Sequence, residues 1–124
     1  MNRKILRRDG MRFEKILENH LKKVMGGPVV FWRNPEIGGR YPDLIGISPD
    51  SCFIIEVKRT YTEGAWEQLE MYLRLLEGIL PKKPISLIQA CKFLIPGIQF
   101  KITTSIEEAI EQKRSVYFFP SYLY

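Results

Sequence analysis

One histidine and two cysteines in 124 residues limit the chemistry this chain can perform. With His20 alone, no His-dependent triad or metal site can be assembled, and its place on a basic helix predicts a helix-flank role. Cys52 and Cys91 both fall in apolar, strand-like runs, where buried free thiols are expected of an intracellular chain. There is no Cys-x-x-Cys, and two cysteines are too few for a structural zinc or an iron–sulfur cluster. Walker loop, dinucleotide fingerprint and serine-nucleophile elbow are also missing, so no nucleotide cofactor is expected. No apolar run approaches the roughly 20 residues of a membrane span. The N-terminal "MNRKILRRDGMRF" lacks the apolar stretch of a secretory signal. The expectation is a cytoplasmic protein forming one domain over residues 1–124, with no membrane contact.

Acidic residues are the scarcer charge. Nineteen Lys and Arg against fourteen Asp and Glu leave a net charge of +5. The excess gathers at the start of the chain, in Arg3, Lys4, Arg7, Arg8, Arg12 and Lys15, with a second group at Lys82, Lys83 and Lys92. Such a surplus suits a polyanionic partner, because lysine and arginine displace condensed counterions from phosphates.

Apolar periodicity supplies the elements. Phe13, Ile16, Leu17, Leu21 and Val24 recur at helical spacing from about Met11 to Met25, and Gly26-Gly27-Pro28 stops that helix. "VVFWR" is β-branched and aromatic and reads as a strand. "NPEIGGR" is a glycine-rich loop, and Gly38-Gly39-Arg40 within it would let backbone approach a phosphate or serve as a plain connection. "YPDLIGISPDSCFIIEVK" then reads as two strands about a turn at Ser48-Pro49-Asp50-Ser51. A helix follows from about Glu63 to Glu77, with Thr62 as its N-cap. "PISLIQACKFLI" and "IQFKIT" give two more strands. Ser105 and Glu108 form a capping-box pattern that opens a short helix, and "SVYFFPSYLY" ends the chain as an aromatic strand or tail. The order α-β-β-β-α-β-β-α-(β) predicts an α/β sandwich with a mixed sheet.

The 41–58 hairpin carries the chemistry. If its ladder closes symmetrically on Pro49-Asp50, Asp43 faces Glu56, with Cβ atoms about 5 Å apart. A one-residue bulge would break that register. Two opposed carboxylates repel unless a cation lies between them, and hard oxygen ligands suit Mg²⁺ or Mn²⁺. Lys58 shares the face of Glu56 because side chains alternate along a strand. The plainer alternative is a solvated Glu56–Lys58 surface pair. On the following helix Gln68 and Tyr72 are four apart and therefore neighbours. Gln68 lies on the apolar side, where an amide needs a partner.

Pro42-Asp43, twelve residues, Glu56-Val57-Lys58 and then Gln68-x-x-x-Tyr72 resemble the PD-(D/E)XK nuclease superfamily. The Gln–Tyr pair is similar to its RecB-like exonuclease branch, "GRYPDLIGIS…FIIEVK…Q" to the virus-type replication-repair nucleases, and the small basic chain to archaeal Holliday-junction resolvases. The resemblance spans about residues 11 to 95. It implies a restriction-endonuclease-like three-layer sandwich and a Mg²⁺- or Mn²⁺-dependent nuclease acting on DNA, in branched form or otherwise, in recombination, repair or replication. A RecB-like exonuclease and a catalytically inactive nucleic-acid-binding module are the alternatives. By the same resemblance Asp43, Glu56 and the Val57 carbonyl are metal ligands, with Glu14 as an additional acid. Lys58 orients the attacking water, and Gln68 and Tyr72 support the site or touch DNA. Arg7, Arg8, Arg12, Arg40 and Arg59 are the candidate DNA contacts. The four cluster-binding cysteines of the CRISPR-associated exonucleases are absent. The wide apolar face of the 63–77 helix and the lack of a targeting domain lead to the expectation of a homodimer.

Overall fold

The computed structural model describes residues 3–80, 82–94, 97 and 100–119, with 3–12 described by backbone alone. The elements are α1 (Arg3–Met25), β1 (Val30–Arg33), β2 (Leu44–Ile47), β3 (Cys52–Lys58), α2 (Ala65–Glu77), β4 (Ile85–Cys91), β5 (Ile102–Thr103), α3 (Ile106–Ile110) and β6 (Arg114–Phe118). This is the order expected from the sequence. The six strands form one sheet, β1-β2-β3-β4-β6-β5. The β1–β2 and β2–β3 pairs are antiparallel, whereas β3–β4, β4–β6 and β5–β6 are parallel.

Strand alternation divides the core into two layers. On one face Leu44, Phe53, Ile55, Ile88 and Tyr117 pack against Phe13, Leu17 and Leu21 of α1 and Ile106 of α3. On the other, Ile45, Ile54, Leu87 and Val116 meet Trp66, Leu69, Tyr72 and Leu76 of α2. The result is the three-layer α/β/α sandwich that the sequence implies. The face of α2 that looked wide enough for a second subunit is largely consumed here: Ala65, Trp66, Leu69, Tyr72 and Leu76 are buried and Leu73 and Leu75 pack beside them.

Local departures from expectation have identifiable causes. α1 begins at Arg3, well before the apolar periodicity does. α2 begins at Ala65, with Gly64 rather than Thr62 at its N-cap and no side-chain cap. The Thr62 carbonyl instead accepts from Ala65 N–H at 3.1 Å, closing a turn ahead of the helix. At α3 the Ser105 hydroxyl accepts from Glu108 N–H at 3.3 Å, half of the expected capping box. The reciprocal half is replaced, because Ser105 N–H donates to Thr103 Oγ1 at 3.0 Å.

Candidate active site

The ladder of the β2–β3 hairpin pairs Leu44 with Ile55, Ile45 with Ile54, Gly46 with Phe53 and Ile47 with Cys52. No bulge intervenes, and Ser48 N–H closes the turn on Ser51 O at 2.9 Å. One step beyond the last pair, Asp43 therefore lies opposite Glu56. Their polar groups interlock: Asp43 N–H donates to Glu56 Oε1 at 3.3 Å, and Val57 N–H donates to Asp43 Oδ2 at 2.8 Å. Both residues project on the α2 side, as do Ile45 and Ile54 of the same strands.

Burial and charge act together on these carboxyls. Glu56 is only 3 % exposed. Desolvation first, and the Asp43 charge second, push its pKa up to about 8. Glu14 reaches the same place from α1 and accepts from Asn34 Nδ2 at 2.9 Å. Burial, followed by the Asp43 charge, pushes its pKa up to about 7. Asp43 is the neighbour common to both glutamates, so the acids form a row with Asp43 in the middle. Among the described residues no three Asp, Glu, His or Cys side chains close into a metal-holding group on their own.

The donor set still fits a hard divalent cation. Two carboxylates opposed across a ladder, with Glu56 made harder to ionise by burial and by the Asp43 charge, are relieved by positive charge between them. Val57 follows Glu56 directly along β3. Lys58 follows on the same face, its Nζ 4.0 Å from Glu56 Oε2.

The α2 residues take supporting positions. Gln68 Nε2 donates to Tyr72 Oη at 3.2 Å, joining the pair that sequence spacing had brought together. Tyr72 is 3 % exposed. Its pKa is raised by burial and then by the nearby Glu56 charge. Of the two roles expected for Tyr72, supporting the site or touching DNA, its burial beside Glu56 suits the first.

The candidate DNA contacts divide. Arg40 is exposed and is delivered by a two-residue turn in which Ile37 N–H donates to Arg40 O at 2.8 Å and Arg40 N–H to Ile37 O at 3.1 Å. Gly38 and Gly39 both adopt positive φ, 59° and 77°, as a type I′ turn requires. Arg40 faces Tyr72 closely enough for its charge to act on that hydroxyl. Arg59 is exposed just past β3, its guanidinium over the Phe93 ring. The side chains of Arg7, Arg8 and Arg12 lie outside the described residues.

Gln89 escaped the sequence reading. It occupies β4 directly beside Glu56 in the parallel ladder and is fully buried. Its Oε1 accepts from Thr62 N–H at 2.6 Å and its Nε2 donates to Thr62 O at 3.0 Å. Both ends of one amide thus clamp the segment joining Lys58 to α2. The signal was a lone amide inside the apolar run "PISLIQAC", but nothing in the sequence names its partner.

Two solved structures share this architecture. A repair endonuclease from Pyrococcus abyssi superposes with a TM-score of 0.58 at 16% identity, over 87% of this chain. The likeness is one of fold, an α/β sandwich around a mixed six-stranded sheet. The EndoMS–dsDNA2 complex agrees, with a TM-score of 0.59 at 20% identity over 91% of this chain. The chain spans 47% and 44% of the lengths of these two neighbours. No protein-family profile and no curated protein matches the sequence.

Proposed function

We propose that this chain is a divalent-metal-dependent nuclease that hydrolyses DNA phosphodiester bonds. The observation that carries the reading is Asp43 opposite Glu56 across an unbulged ladder, with Lys58 two residues on along the same face. Asp43, Glu56 and the Val57 carbonyl would hold Mg²⁺ or Mn²⁺, with Glu14 reaching the same cation or its waters through Asp43. When bound, such an ion polarises a phosphoryl oxygen and lowers the pKa of its water. Lys58 orients the attacking water and steadies negative charge growing on the phosphate. Tyr72 and Gln68 hold the back of the site, and the low exposure of Glu56 keeps bulk water from screening these interactions.

DNA is favoured by the basic surplus and by the fold shared with a repair endonuclease and with a protein solved bound to double-stranded DNA. A role in repair, recombination or replication follows from the same likeness. The test is purified protein with Mg²⁺ or Mn²⁺ on single-stranded, duplex and four-way-junction DNA and on RNA. Cleavage abolished by Asp43→Ala and by Glu56→Ala is the expected result. Cleavage that survives either substitution overturns the assignment, and Mn²⁺-independent binding without turnover identifies a non-catalytic binding module instead.

A further inference from the structure

The sheet does not end at Lys58. Beyond β4 the chain keeps pace with β3, so that Lys92 N–H donates to Lys58 O at 3.2 Å and Phe93 N–H to Arg59 O at 2.9 Å. Phe93 is thereby fixed just beyond Lys58. Its ring is 43% exposed and carries the Arg59 guanidinium 5.6 Å from its centroid. Tyr41, two residues before Asp43 and next to Arg40, is 59% exposed. The largely exposed aromatic side chains among the described residues are Trp32, Tyr41 and Phe93. Two of the three thus bracket the hairpin that carries Asp43, Glu56 and Lys58; Phe93 has a guanidinium over its ring, and Tyr41 follows the exposed Arg40 in sequence.

Aromatic surface left in water forgoes favourable burial, so exposure at both ends of one site points to a ligand that covers it. The pairing of ring with guanidinium fits a polyanion whose repeating unit also has a flat apolar face. In a paired duplex the base faces are covered by their neighbours, and a side-chain ring can reach one only where the strand is unpaired. Stacking on aromatic residues with phosphates held by cations is how unpaired strands are gripped without regard to sequence.

We propose that Phe93 with Arg59, and Tyr41 with Arg40, form a stacking platform that takes an unpaired stretch of DNA past Lys58, making single-stranded segments the preferred substrate. The proposal rests on the nuclease reading of Asp43 and Glu56 for its catalytic consequence, but the platform can be tested without turnover. Fluorescence anisotropy of labelled DNA in EDTA measures binding to a single strand and to a blunt duplex of equal length. The single strand should bind more tightly. Phe93→Ala should weaken it about tenfold, the size expected for losing one stacked base, with a severalfold smaller loss on duplex. Phe93→Trp should restore it, and an abasic nucleotide at the contacted position should make Phe93→Ala inconsequential. Equal losses on single strand and duplex, or a Phe93→Trp protein no better than Phe93→Ala, overturn the platform. Cleavage by the wild-type protein with Mn²⁺ on the same strands reads the catalytic assignment separately. Single-strand preference without cleavage faults Asp43 and Glu56, whereas cleavage without that preference faults Phe93 and Tyr41.

Discussion

Asp43 and Glu56 are opposed across the β2–β3 ladder and are held there by backbone hydrogen bonds against the repulsion of their charges. The Asp43 amide donates to the Glu56 carboxylate at 3.3 Å while the Asp43 carboxylate takes the Val57 amide at 2.8 Å. The main chain therefore fixes both side chains in a place that their charges disfavour. Positions that violate local energetic preference while the surrounding structure enforces them are where function is expected.

That tension has a pH signature. The ordinary Glu value is 4.5, and burial with the Asp43 charge raises Glu56 to about 8 in the folded protein. Between those values the native state holds a proton that the unfolded chain has lost, so metal-free stability must fall as pH rises. The contribution is complete below about pH 4.5 and gone once pH passes the folded value. Thermal melting in EDTA should therefore show a falling midpoint from pH 5 to pH 8. Glu56→Gln keeps the hydrogen-bonding oxygen and removes the charge. It should flatten the profile in part, the raised Glu14 still titrating, and be the more stable protein at pH 8, by about 2 kcal/mol. A wild-type midpoint that rises over this range refutes the buried-acid arrangement.

A divalent cation should reverse the same penalty. Mn²⁺ in hundredfold excess over its dissociation constant stabilises a folded protein by about 2.7 kcal/mol, so the melting midpoint at pH 8 should climb on Mn²⁺ titration. Glu56→Gln and Asp43→Asn should abolish the climb. Lys58→Ala should keep it, because the amine binds no cation, yet cut the cleavage rate on the order of 10²-fold or more. A Lys58→Ala protein that cleaves normally would remove Lys58 from the mechanism.

Gly46 guards the register that creates the site. It pairs with Phe53, whose ring covers it, and a Cβ there would fall 2.1 Å from the ring. Phe53 is fully buried and meets Phe31 edge-on at 5.9 Å, so the ring has nowhere to go. Gly46→Ala should destabilise by about 1–3 kcal/mol, the usual cost of overpacking. Gly46→Ala with Phe53→Leu should recover part of the loss, as chemical denaturation would show.

The parts of this site written locally in the chain were legible there. Alternation fixed which residues of 44–47 and 52–58 share a face, and the Pro49-Asp50 turn fixed the register that sets Asp43 against Glu56. Helical spacing joined Gln68 to Tyr72. Relations that depend on which strand lies beside which were not legible. Nothing before folding says that β4 pairs with β3, so neither Gln89 beside Glu56 nor Phe93 beside Arg59 could be read. The burial of Tyr72 was not legible for the same reason: helix periodicity names its neighbours on α2 but not the depth of the sheet beneath. Thr62 does not cap α2 because its hydroxyl donates to Thr60 O at 3.2 Å while its carbonyl takes the Ala65 N–H.

Gln89 offers the sharpest check on how the site is held. Its amide satisfies both the N–H and the C=O of Thr62, at 2.6 and 3.0 Å, from a fully buried position. Trp66 Nε1 donating to Tyr61 Oη at 3.0 Å ties the same segment from the other side. This segment sets the distance between Lys58 on β3 and Gln68 on α2. Gln89→Leu would leave the Thr62 N–H without its partner, while the Thr62 carbonyl keeps the Ala65 N–H, and should cost about 1 kcal/mol. Gln89→Glu keeps the acceptor but loses the donor, and should cost less at low pH, where the acid can donate a proton in place of the amide. If Gln89 positions the site, Gln89→Leu should lower the cleavage rate at saturating DNA while DNA affinity and the Mn²⁺-induced melting shift change little. Gln89→Glu should then recover activity below its own pKa. Equal loss of affinity and rate in Gln89→Leu, with no pH-dependent recovery in Gln89→Glu, would reduce Gln89 to a core residue.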